Sequence, residues 1–190
     1  DSENRHLVLL CKDETGYRNL SYMVSQANLD GFYGKPRIDL SLLREHHEGL
    51  IALSACLAGE IPKRLLAGNY EGAKEHALKM AELMGEDNYY LEIQDHGIEE
   101  QKVVLEGILR IHKETGIPLV ATNDAHYIRK EDWETQDVLL CIQTGKTLDD
   151  PGRMKFQTQE FYVKSEEEMA ALFPRHPEAL ENTAKIAELC

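Results

Sequence analysis

The residues best suited to chemistry sit where apolar runs give way to polar ones. In Ile117-Pro-Leu-Val-Ala-Thr-Asn-Asp-Ala-His126, Asp124 and His126 follow a short buried-strand pattern and lie two positions apart. In an extended backbone their side chains point the same way. A carboxylate beside an imidazole can ligate a divalent metal or pass a proton. The competing reading is a strand-end turn in which Asn123 and Asp124 bond their own backbone. Cys56 follows the apolar run Leu50-Ile-Ala-Leu53, and Asp95 and His96 follow Tyr89-Tyr-Leu-Glu-Ile93. His6 opens the run His6-Leu-Val-Leu-Leu10 instead of closing it, so it stands apart from the others.

Periodicity supplies the elements that would carry these groups. Four short apolar strands alternate with helical spacing over about 15–29, 61–67, 70–84 and 98–115, and a further helix is expected at about 130–142. Asp39 and Asn69 are expected helix N-caps, and Gly85 and Gly116 helix stops. Ser165-Glu-Glu-Glu168 reads as a capping box, and Pro177 as the first residue of a last helix. Strand–helix alternation predicts parallel strands joined by right-handed crossovers, with functional groups at the strands' C-terminal ends.

The chain has 190 residues, 42% of them hydrophobic, enough for one domain with a core. Asp and Glu number 34 against 21 Lys and Arg, a formal net charge of −13. Such a surface repels phosphate backbones, so a free-standing nucleic-acid binder is excluded. Lys146 and Arg153-Met-Lys155 are the local exceptions, as a solvated loop or a contact to DNA or a neighbouring domain. No apolar run approaches the length of a membrane span. The four cysteines are scattered without a C-x-x-C pair, which fits reduced thiols in cytoplasm.

Several stretches together resemble a known family. Arg5-His6-Leu-Val-Leu-Leu10, Gly49-Leu-Ile-Ala-Leu-Ser-Ala-Cys-Leu57, Leu91-Glu-Ile-Gln-Asp-His-Gly97, Ala121-Thr-Asn-Asp-Ala-His-Tyr127 and Gln143-Thr-Gly-Lys-Thr-Leu148 are similar to the PHP (polymerase and histidinol phosphatase) domain of bacterial replicative DNA polymerase III alpha subunits. The Gln143–Leu148 segment and Phe161-Tyr162 resemble the polymerase branch in particular. The resemblance implies an α/β fold, a distorted (β/α)7 barrel with metals at its C-terminal mouth. It implies a metal-dependent 3′–5′ exonuclease or phosphoesterase site within a DNA-directed DNA polymerase of chromosomal replication, in bacterial cytoplasm. Family motifs map onto His6, Cys56, Asp124 and His126 as ligands, for zinc first and manganese or magnesium as alternatives. His96 is expected to support a ligand or touch substrate. Glu60 could orient a ligand, against the simpler reading of a helix-start carboxylate.

The family's His-x-His element, its early Asp-His-Gly element and a further acidic ligand have no counterpart here, and Asp95-His-Gly97 falls on a later strand. The expectation is therefore an incomplete barrel of about four parallel strands with flanking helices, its first strands missing. Residues 1–128 would be its C-terminal strands and helices, and 129–190 a helical and loop extension toward the polymerase palm. The stretch alone is expected to be inactive. The implied partners are DNA through the whole subunit, other polymerase domains, a proofreading exonuclease subunit and a sliding clamp, with no membrane. The alternative expected role is structural: bracing the polymerase and docking a separate exonuclease.

Overall fold

A computed structural model of the chain describes residues 4–190. Four strands, β1 (Val8–Cys11), β2 (Leu50–Leu53), β3 (Tyr89–Ile93) and β4 (Leu119–Ala121), form one sheet in chain order. β2, β3 and β4 run parallel, with Leu53 opposite Tyr90 and Glu92 opposite Val120. The expectation of parallel strands throughout fails at β1, which is antiparallel to β2 and pairs Val8 with Leu53 and Cys11 with Leu50.

The reversal has a local cause. The Lys12 amide donates to the Gly49 carbonyl at 2.9 Å, tying the end of β1 to the start of β2. The helix α1 (Glu14–Leu29) begins hard against the same turn. A Cβ on Gly16 would lie 2.0 Å from the Gly49 oxygen, so only glycine permits this approach. With those ends fixed together, β2 can only run back alongside β1. Strand–helix alternation says nothing of this, because α1 and α2 (Leu40–Glu45) return the chain to the end it left.

Side chains alternate across the sheet as the pleat requires. Leu50, Ala52, Leu91, Ile93, Leu119 and Ala121 pack beneath helices α3 (Glu60–Leu66), α4 (Tyr70–Met84) and α5 (Glu99–Thr115). Ile51, Leu53, Tyr90 and Val120 face the other way and meet Ile186 of α8 (Pro177–Leu189). Buried Asn182 of α8 donates its amide to the Leu119 carbonyl at 2.7 Å, covering the outer edge of β4. The expected caps are present: Asp39 accepts from Leu42, Asn69 from Gly72, and Ser165 with Glu168 closes a capping box before α7 (Glu166–Leu172). Gly116 ends α5 in the left-handed region at φ 75°.

Beyond β4 the chain turns through a 3₁₀ turn (Lys130–Asp132) into α6 (Trp133–Thr144). It then returns so that Tyr127 and Tyr162 form an isolated parallel bridge. The His126 amide donates to the Phe161 carbonyl at 2.8 Å, and the Val163 amide to that of Ile128 at 3.2 Å. The 156–162 segment thus lies as a strap beside the exit of β4. Among the described residues no helix is long and apolar enough to cross a membrane.

Candidate functional site

Because β1 is reversed, its N-terminal end lies at the rim where β2, β3 and β4 end. His6 no longer stands apart: its amide donates to Ala58 at 3.0 Å, and it bridges to Gly59. Its ring Nδ1 is 3.8 Å from the Cys56 Sγ, across 50 residues of sequence. Cys56 sits on a tight turn. Ala55 before it has φ 65°, a left-handed conformation that costs a non-glycine residue about 1 kcal/mol or more. Gly59 closes the turn, where a Cβ would meet the Ser54 carbonyl oxygen at 2.3 Å. Burial pushes the Cys56 thiol up; the Ala58 amide opposes this, and the charge of Asp124 adds to it.

The turn is held by a residue that sequence reasoning passed over. Glu92, in the middle of β3, is only 4% exposed. One carboxylate oxygen accepts the Ala55 amide and the other the Thr122 hydroxyl, the latter at 2.7 Å. Its own amide donates to the Ser54 hydroxyl at 2.8 Å. One side chain therefore ties the strained Ala55 on the β2 side to the end of β4. Burial pushes the Glu92 pKa up, against the Thr122 and Ala55 hydrogen bonds, and nearby Asp124 raises it further. The available signal was a lone carboxylate in an otherwise apolar five-residue strand.

At the end of β4 the extended geometry expected for Asp124 and His126 does not hold. Asp124 adopts φ 42°, so the two-residue alternation is broken and the strand stops at Ala121. The two are linked instead through the backbone: the His126 Nδ1–H donates to the Asp124 carbonyl at 2.6 Å. That hydrogen bond orients the ring and leaves Nε2 as its lone-pair atom. The ring packs on Phe156 at 4.7 Å and Phe161 at 5.8 Å between centroids.

His96 is nearly fully buried and uses both ring nitrogens. Nε2–H donates to the Asn123 carbonyl at 2.8 Å, and Nδ1 accepts from the Gln101 amide at 2.7 Å. This fixes the neutral tautomer, and burial pushes the pKa down. The ring stacks on Phe161 at 4.0 Å, and Asn123 donates to the Glu160 and Tyr162 carbonyls at 3.0 and 2.6 Å. His96 and Asn123 thereby hold the strap over the rim. Glu60, at the first turn of α3, pairs with Arg5 at 2.8 Å and Arg64 at 2.6 Å. Burial pushes its pKa up, but the Arg64 hydrogen bond and the surrounding positive charges hold it below the ordinary value.

The rim thus brings His6 onto Cys56 and keeps Asp124 within electrostatic reach of Cys56, Glu92 and His96. Among the described residues no three His, Cys, Asp or Glu side chains converge closely enough to hold a metal. The donor types fit a zinc-like cation: thiol, imidazole and carboxylate from segments flanking separate strands.

Comparisons with known proteins agree with this architecture. The family described as "PHP domain" matches residues 1–96. The chain is 53% identical over 185 residues to DNA polymerase III subunit alpha of Treponema pallidum (strain Nichols), covering 97% of this chain and 16% of that protein. It is 49% identical over 185 residues to the same subunit of Borreliella burgdorferi, with the same coverage. To that of Thermus aquaticus it is 48% identical over 188 residues, 97% of this chain and 15% of that protein. The chain spans about one sixth of the length of these curated relatives. With a family match over half its length, the chain belongs to the PHP domain family.

Proposed function

We propose that this chain is the C-terminal part of the PHP module of a bacterial DNA polymerase III alpha subunit, acting in the cytoplasm on DNA. Its four strands would belong to a larger (β/α)7 barrel, with residues 1–128 forming the barrel portion and 129–190 leading toward the palm. Nucleotide transfer would be the work of other domains of the subunit. The site proposed here is a metal-dependent phosphoesterase, used as a 3′–5′ exonuclease.

The observation that carries this reading is the return of His6 to within 3.8 Å of Cys56, at the rim where β2, β3 and β4 end. His6 and Cys56, with Asp124 and His126, would hold the cation. When bound, a divalent metal supplies an activated water and charge stabilisation for phosphate oxygens. Glu92 fixes the Ala55 turn so that the thiol faces the rim. The Asp124 carbonyl fixes the His126 tautomer. His96, neutral and saturated, anchors Asn123 and the strap.

The test is release of a mismatched 3′ nucleotide by the whole subunit loaded with zinc or manganese. Cys56→Ser and Asp124→Asn should each lower release at least about tenfold while leaving polymerisation unchanged. Release that is indifferent to both substitutions sinks the reading.

A second reading is favoured by exposed apolar side chains on α1 and the loop after it. Tyr17, Leu29, Phe32 and Tyr33 are 56–75% exposed. Such a surface fits a bracing module that docks a separate exonuclease or another polymerase domain, with any metal kept for stability. Loss of exonuclease binding on Phe32→Ser, with no metal-dependent release, would favour it.

A further inference from the structure

A cavity of about 310 Å³ opens between α6 and the 153–159 segment, and none of the residues proposed to hold a cation lines it. Its apolar walls are the rings of Tyr127, Trp133 and Phe156. Its polar walls include Arg153 and Lys155 together with the carboxamide of Gln157. Arg153 is not a mobile cation: both terminal nitrogens clamp Asp137, at 2.5 and 2.7 Å. This ion pair bolts the segment to α6 and gives the cavity a fixed wall. Lys155, exposed and close enough to Asp137 to lower its pKa, is the cation left to meet an anion. The Thr158 hydroxyl, also on the lining, is buried without a hydrogen-bond partner.

We infer that this cavity binds one nucleotide of single-stranded DNA, its base among the aromatic rings and its phosphate at Lys155. Three aromatic rings with a neighbouring cation and an amide are what an unstacked base and its phosphate select. The volume sits at the lower end of small-ligand pockets, in keeping with one nucleotide. The position supports the choice. Phe156 is at once a cavity wall and a ring contact of His126, and Tyr127 follows His126 directly in sequence. The cavity is therefore the neighbouring subsite of the rim, and this inference rests on the phosphoesterase reading only for what the bound strand is used for.

Trp133 is the single tryptophan of the chain, so its fluorescence reports occupancy. The experiment titrates the whole subunit with dTMP and with a short oligothymidylate, in EDTA, taking Trp133 emission as the difference from a Trp133→Phe subunit. Saturable quenching is expected, weakened at least fivefold by Lys155→Ala and by Phe156→Leu, with unchanged circular dichroism showing that each variant is folded. Emission indifferent to both probes overturns the inference. So does quenching unaltered by either substitution, or matched by hexaglutamate, which would mark a general polyanion or acidic-peptide site. Because metal is withheld, binding is read apart from hydrolysis: quenching here together with no 3′ release by the metal-loaded subunit retires only the exonuclease, whereas 3′ release by the loaded subunit without quenching retires only this subsite.

Discussion

The Nδ1 of His6 and the Sγ of Cys56 approach to 3.8 Å because His6 precedes β1 and Cys56 follows β2, and these neighbouring strands run in opposite directions. A soft thiolate and an imidazole side by side are a natural half-site for cobalt or zinc. Co²⁺ added to the chain should give a thiolate charge-transfer band that disappears in Cys56→Ser and weakens in His6→Ala. A band persisting in Cys56→Ser would assign the cobalt elsewhere.

Glu92 is expected to matter through geometry. Glu92→Ala leaves the Ala55 amide without its acceptor in a buried turn, at about 1–3 kcal/mol of stability. Through misplacement of Cys56 it should also loosen metal binding by about 10–100-fold. Glu92→Gln can still accept the Ala55 amide and should recover most of both. Chemical unfolding and a metal titration on the two variants check this; equal losses in both would contradict it.

Glu114 gives a pH-dependent expectation remote from the rim. Hydrogen bonds from Lys74 on α4 and from Arg110 hold its pKa down from 4.5 to about 2. A depressed carboxylate contributes stability above its unfolded pKa and loses it as the folded value is reached. The stability gap between the parent chain and Glu114→Gln should therefore be full above about pH 5 and shrink between pH 4.5 and 2. High salt should narrow it at every pH. A gap that is constant from pH 7 to 2 would rule out this ion pair as its source.

Asn182 seals an edge. Asn182→Leu keeps the bulk but leaves the Leu119 carbonyl unpaired, at about 1–3 kcal/mol. The exposed edge of β4 should then pair with other chains, so light scattering should rise along with the loss of stability. Unchanged scattering and stability would show that the edge is protected by something else.

Much of this chain is written locally. The continuous apolar runs Leu50–Leu53 and Leu119–Ala121, the helical spacing of α4 and α5, and the caps at Asp39, Asn69 and Ser165 depend on neighbours a few positions away. The sequence alone therefore determined the elements, their order and the acidic surface, and its motifs matched the family that the comparison found. Only the tertiary structure decided the direction of β1, because a contact between Gly16 and Gly49 depends on space and leaves no periodic trace. That direction carries His6 to the rim. The left-handed turn at Asp124, the saturation of His96 and the bracing by Glu92 were likewise decided there. Each depends on partners 5 to 37 residues away or on one backbone torsion, and residue type states what a side chain can bond, while only the fold selects which partner comes within reach.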